Sequence, residues 1–156
     1  MVAHSFARSG AARSAPPSTP DVAALLDAAE PIQDARALVI GPEALEVLCG
    51  LIGRGCAGAT ETSVAARTQA DPAEILLMPH LATLSDATQA IALARRALLP
   101  CGRIVLNDRT GALAGAVMGL LRSAGFSSVR AQQHETGTLI TADWPMFGVR
   151  QEVRHA

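Results

Sequence analysis

A chain of 156 residues with a net charge of -1 and 49% hydrophobic residues suits one folded domain with a single substantial core. Lys and Arg form no cluster, and aromatics are 3% of the chain with no Tyr, which argues against a protein that tracks a phosphate backbone or stacks on bases. Cys49, Cys56 and Cys101 are an odd number without a CxxC, so neither a disulfide framework nor a metal site such as zinc is indicated, and a reduced, cytoplasmic compartment is the simplest reading.

Residues 1–20, MVAHSFARSGAARSAPPSTP, contain no acidic residue and no apolar run long enough for a signal-peptide core. They read as a disordered tail, with a transit peptide, which shares the Arg/Ser bias, as the alternative. Val22, Leu25, Leu26 and Ala29 form one apolar stripe, predicting a helix from Asp21 to about Glu30 that Pro31 breaks. Ala35 to Gly41 reads as a buried strand. Pro42 is suited to the first position of the next helix, whose buried stripe would be Leu45, Leu48, Leu51 and Ile52 and which Arg54-Gly55 close.

A strand, glycine turn and helix is where a nucleotide-binding fold places its ligand, because glycine allows close backbone approach and the helix start offers free N–H groups. Here the turn is Gly41-Pro42-Glu43-Ala44. Pro42 has no N–H and Glu43 is negative, so a dinucleotide is disfavoured. A register using Glu46 to Gly50 as the turn lacks a first glycine and would interrupt the helix. Gly41 as a plain tight turn is the bland alternative.

Ala57 to Thr62 follows as a second strand with Glu61 near its end. About a dozen residues then separate Glu61 from Ile75, far short of the roughly 30 of a βαβ unit. The sheet should therefore be small. Ile75 to Met78 and Arg103 to Asn107 are short apolar runs of the kind covered on both faces. Between them Leu84, Ala87, Ala90, Ile91, Ala94 and Leu98 recur at helical spacing, Thr83 and Asp86 form a capping pair, and Pro100-Cys101-Gly102 would end the helix. This is one parallel βαβ unit.

In such sheets ligands sit beyond the carboxyl ends of the strands, which places Met78 and His80 at a site. His80 is suited to act as a general base near neutral pH, or to cap the loop. Asn107, Asp108 and Arg109 lie at the same rim, either lining a pocket or starting the next helix with Thr110 as cap. That helix, Gly111 to Ala124, carries Gly111, Gly115 and Gly119 four apart, which predicts tight packing on the sheet or, alternatively, a homodimer contact. It is too short for a membrane span. Ser127 to His134 and Thr138 to Ala142 then form a hairpin, and Trp144 to Phe147 close the domain. Residues 148–156 should fray.

The passage Ala-Arg-Arg-Ala-Leu-Leu-Pro-Cys-Gly-Arg at 94–103 and Leu120 to Phe126, with the closing hairpin, resemble the second half of a class I S-adenosylmethionine-dependent methyltransferase. Cys101 stands where that family usually has the first glycine of a Pro-Gly-Gly turn. The likeness covers about half the chain and implies a three-layer, Rossmann-like α/β sandwich over residues 21–147, with a mostly parallel sheet smaller than the family's own. It implies S-adenosylmethionine as cofactor, held at Gly41, Glu61 and Met78, with Glu61 accepting hydrogen bonds from a ribose diol and His80 serving a small-molecule acceptor. The family's Gly-x-Gly-x-Gly is reduced to Gly41. The same features would suit a non-catalytic relative working through protein contacts or dimerisation, or another doubly wound ligand-binding domain.

Overall fold

The computed structural model describes residues 19–63 and 71–146. The expected N-terminal tail, apart from Thr19 and Pro20, and the expected C-terminal fray lie outside the described residues. The elements are α1 (Pro20–Ala29), β1 (Arg36–Ile40), α2 (Ala44–Gly53), β2 (Gly58–Thr62), β3 (Ala73–Met78), α3 (Leu84–Ala97), β4 (Leu98–Asp108), α4 (Ala114–Ser123), β5 (Ser127–His134) and β6 (Gly137–Asp143). Their strands form one six-stranded sheet in the order β2-β1-β3-β4-β6-β5. The first four run parallel, β6 lies antiparallel against β4, and β5, antiparallel to β6, again runs in the direction of the first four. The expected α/β sandwich is present. Among the described residues no helix is long and apolar enough to cross a membrane.

Uniformly apolar strands are explained by two cores, one on each face of the sheet. Val39, Ile75, Leu77, Val105 and Leu139 point to one side and pack with α1 and α2. Their sequence neighbours Leu38, Ile40, Leu76, Met78, Ile104, Leu106 and Ile140 point to the other and pack with α3 and α4. The alternation follows from the two-residue period of a strand. Each fully buried Leu, Ile or Val contributes about 1.5–3 kcal/mol of transfer free energy, so the central strands anchor both layers.

Helix α2 departs from the expected stripe. Gly41 to Glu43 form a turn, so the helix begins at Ala44, and its buried residues are Ala44, Val47 and Leu51. Leu45 and Ile52 are 75% and 66% exposed. The contact with α1 uses small residues in place of large ones: a Cβ on Gly50 would lie 2.4 Å from Leu26 Cδ1. Of the expected stripe Leu51 is buried and Leu48 packs against the core, so hydrophobicity alone located the buried face only in part.

Helix α3 starts as expected. Asp86 N donates to Thr83 Oγ1 at 3.1 Å and Thr83 N to Asp86 Oδ2 at 3.2 Å, a reciprocal cap that satisfies two free N–H groups. It ends at Ala97, before Pro100-Cys101-Gly102, and those three residues form a bulge inside β4. The register passes from Ala73–Leu98 to Ile75–Arg103 across it. Cys101 sits there at φ 65°, a left-handed conformation that explains why glycine is usual in the resembled family. Gly102 is required for a different reason: a Cβ would lie 2.8 Å from the Leu99 carbonyl oxygen. Cys101 N donates to Trp144 O at 3.0 Å and Trp144 N to Gly102 O at 2.7 Å, tying the bulge to the chain's exit from β6.

In α4 the buried residues are Ala114, Val117 and Leu121. Gly115 and Gly119 face outward with nothing within 4 Å of a built Cβ, and Gly111 precedes the helix. The glycine stripe does not pack on the sheet, as had been expected, because the apolar face of the helix takes that place.

Two outcomes test this account. Replacing Cys101 by Gly relieves a left-handed non-glycine residue and should raise stability by about 1 kcal/mol, whereas Gly102→Ala should lower it; chemical denaturation measures both. Glu74 Oε2 accepts from Arg36 N at 2.7 Å and Oε1 from its guanidinium at 3.3 Å. Partial burial alone would raise the carboxyl's pKa, but these bonds outweigh it and hold it below its ordinary value. A depressed folded pKa stabilises above the unfolded value and is lost as pH falls through the folded one. Glu74→Gln should therefore flatten the fall in Tm below about pH 4.3.

Candidate active site at the carboxyl edge of the sheet

Strands β1 to β4 all end at one edge, at Ile40, Thr62, Met78 and Asp108, and β5 ends there too at His134. Strand β2 lies on one side of β1 and β3 on the other, so the strand order switches beside β1. Open α/β sheets bind ligands at such a switch, because the diverging connections leave a crevice there.

Two of the residues singled out from the sequence meet in this crevice. Gly41, Pro42, Glu61, Thr62 and Ser63 line an open groove of about 480 Å³, within the range of roughly 300–1,000 Å³ typical of small-molecule sites. Parallel pairing of Val39 with Glu61 and Ile40 with Thr62 brings the two strand ends level. Gly41 has φ 94°, and Glu43, two residues on, has φ 67°. The turn thus keeps a left-handed conformation at both ends of its Gly-x-Glu, although only the first is glycine. Glu43 is the N-cap residue of α2, yet its side chain makes no capping hydrogen bond.

Met78 and His80 are placed differently. The Met78 side chain is buried in the core on the α3/α4 side, with Ile40 and Leu106, so only its main chain is left for the edge. His80 follows β3, half-buried, and its Nδ1 is buried with no hydrogen-bond partner. Its loop is pinned to β4 by Leu81 N, which donates to Asn107 O at 3.0 Å. His80 does not line the Gly41–Glu61 groove.

The rim residues after β4 divide three ways. Asp108 is fully buried and caps the next turn, accepting from Thr110 N at 3.2 Å, Thr110 Oγ1 at 2.9 Å and Leu113 N at 2.8 Å. Asp108 thus holds the turn before α4 together with Thr110, whose Oγ1 accepts from Ala112 N at 3.2 Å, but α4 itself starts at Ala114 without the side-chain cap expected from Thr110. Asn107, 1% exposed, has its Oδ1 3.2 Å from His134 Nε2, and His134 Nδ1 lies 3.1 Å from Thr136 Oγ1. The third residue, Arg109, reaches back across the end of β3. Its Nη1 donates to Glu43 Oε1 at 3.3 Å and its Nη2 to Glu43 Oε2, and its Nε lies 3.9 Å from Asp21 Oδ2 in the first turn of α1.

Asp21 and His134 were not legible as rim residues. No local motif marks them: one comes to the edge through α1, the other through the last hairpin. The signal that could have pointed to their surroundings is Gly137, where a Cβ would lie 2.6 Å from both Arg109 Cα and Asp108 O. That close approach seats the hairpin against the β4 rim.

Six strands ending in an antiparallel pair, with helices on both faces and a crevice at the carboxyl edge, are the fold of class I S-adenosylmethionine-dependent methyltransferases, in a small version. Solved structures agree. Precorrin-6y C5,15-methyltransferase from Geobacter metallireducens superposes with a TM-score of 0.63 at 13% identity, over 80% of this chain and 87% of that one. A TehB-like SAM-dependent methyltransferase from Corynebacterium glutamicum gives 0.58 at 15% identity, over 79% and 86%. Human N-acetylserotonin methyltransferase, solved in complex with SAM, gives 0.58 at 10% identity, over 80% of this chain and 51% of that one. No family model matches the chain, and no curated protein matches it significantly in sequence.

If Gly137 is what lets the hairpin reach the rim, Gly137→Ala should cost about 2 kcal/mol, from a strained backbone and the clash with Asp108 and Arg109. Chemical denaturation would give that loss, and the Arg109 Nε–H resonance should move with it.

Proposed function

We propose that the protein is an S-adenosylmethionine-dependent methyltransferase acting on a small molecule. The observation that carries this reading is the shared groove of Gly41 and Glu61 at the switch in strand order, in a sheet of methyltransferase type. The residues fit the cofactor. Glu61, exposed at the end of β2, offers two acceptor oxygens to a vicinal diol, and Gly41 leaves the backbone open to close approach. S-adenosylmethionine has no phosphate, so the missing N–H of Pro42 and the charge of Glu43 do not oppose it as they would a dinucleotide.

The bound cofactor would supply an electrophilic methyl group. What this chain would add is position and a base. His80 stands past the end of β3, half-buried, and a neutral imidazole there can take the proton that an acceptor hydroxyl or amine must lose. The non-catalytic alternative takes second place, since the solved structures that share the fold are methyltransferases.

Calorimetric titration with S-adenosylmethionine and S-adenosylhomocysteine tests the reading. Wild-type protein should bind both, and Glu61→Ala should weaken both by about tenfold or more, the worth of hydrogen bonds to a charged group. His80→Gln should leave both affinities unchanged. Absence of heat with either ligand, on protein shown to be folded, would refute the proposal.

A further inference from the structure

The ion pair that closes the edge is built from groups with opposite claims on a ligand. In the sheet β1 and β4 flank β3, so their ends stand about 9–10 Å apart. Arg109 and Glu43 span that gap over the end of β3, at the strand ends where ligands of this architecture sit. The Glu43 carboxylate is seated across both terminal nitrogens of the guanidinium, the fork-to-fork arrangement by which Arg recognises carboxylates. Glu43 reaches it from a left-handed backbone and leaves its own helix start uncapped. Two polar atoms beside the pair are buried without a hydrogen bond: Nε of Arg109, a donor with only the 3.9 Å ion-pair contact to Asp21 Oδ2, and Oδ1 of Asp21, an acceptor. The side chains of Arg109 and Asp21 are each more than two-thirds covered, which makes leaving those atoms unpaired costly. A strained residue and two unsatisfied atoms on one ion pair describe a contact that another group could improve.

We infer that Arg109 is a carboxylate receptor of this edge and that Glu43 is its internal competitor, so that a ligand carboxylate enters by exchange with the Glu43 side chain. The incoming carboxylate takes the forked donors. Released, Glu43 is free to relax, and the unpaired Oδ1 of Asp21 is positioned to accept from a donor on the same ligand, such as an ammonium. Two sources of the carboxylate share this chemistry: the amino-acid end of the cofactor, which rests on the function proposed above, and an acidic acceptor, which does not.

Two measurements test the exchange. The first follows the Arg109 Nε–H resonance during titration with propionate, with no cofactor present. A saturable shift is expected, tighter by about fivefold in Glu43→Gln, the worth of an ion pair at a partly exposed site. No response of that resonance in either protein would overturn the inference, whether or not the cofactor binds. The second compares S-adenosylhomocysteine with 5′-methylthioadenosine, which lacks the amino-acid end, in wild type, Glu43→Gln, Arg109→Gln and the double variant. If the cofactor supplies the carboxylate, Arg109→Gln weakens S-adenosylhomocysteine by about tenfold, the worth of a charge-assisted bond, and leaves methylthioadenosine unchanged. The gain from Glu43→Gln then vanishes in the double variant. Unchanged S-adenosylhomocysteine affinity, with the propionate response persisting in the S-adenosylhomocysteine-saturated protein, assigns the carboxylate to the acceptor. Loss of the propionate response in that saturated protein without any change of affinity in Arg109→Gln would sink the proposal. Arg109→Lys, which keeps the charge but not the fork, guards against a folding defect: it should remain folded and recover little of the loss.

Discussion

Burial of β1, β3 and β4 on both faces is the constraint on which everything else in the molecule rests. A strand covered on one side alone can alternate polar and apolar residues. These cannot: Leu38 and Val39, Leu76 and Leu77, Ile104 and Val105 send adjacent side chains into opposite cores, and all are buried. Two pairs of helices are then needed to cover them. The helices in turn force the polar groups of the connections out to the ends of the strands, since backbone and charge buried between layers would lose their water without compensation. The chemistry-bearing edge is thus a by-product of how the core is closed.

At that edge the structure tolerates departures that a purely stabilising design would not. Glu43 and Cys101 both occupy left-handed positions in turns where the resembled family carries glycine, yet they differ in what they obtain. Cys101 lies in the bulge of β4, held by main-chain bonds to Trp144, and its exposed side chain takes no part in them. Glu43 reaches an arginine on the far side of β3. The same backbone strain is incidental in one turn and linked to the ligand edge in the other.

The last hairpin does more than finish the sheet. Strand β6 pairs along β4 from Arg103–Asp143 to Asp108–Thr138, and its bare Gly137 lies against Asp108 and Arg109. Opposite it, His134 of β5 reaches Asn107. At the other end of the same strands Arg103 Nε donates to Asp143 at 2.8 Å and Nη1 to the carbonyls of Ala28 and Glu30, joining hairpin, sheet and the end of α1. Cations near a helix C-terminus are favoured by its dipole, so this one side chain both caps α1 and fixes the hairpin.

Several features carried by local periodicity and short-range chemistry could be read from the amino acids directly. The apolar runs at 36–40, 75–78 and 103–107, the capping pair Thr83–Asp86, and the hairpin around Glu135-Thr136 were all legible, because a strand's period, a reciprocal cap and a tight turn are each decided within a few residues. So was the placing of Gly41 and Glu61 at one edge, since parallel strands joined through a helix end on the same side. Packing alone chose which part of the α2 stripe is covered, setting Gly50 against Leu26 and leaving Leu45 and Ile52 outside, because helices approach most closely over small side chains. It alone made Pro100-Cys101-Gly102 a bulge within a strand, turned Gly115 and Gly119 outward, and sent the Met78 side chain into the core. It also brought Asp21, Glu43 and Arg109 together from three distant segments. An ion pair between residues 66 apart in sequence leaves no periodic trace; it exists only where packing has already set the strand order.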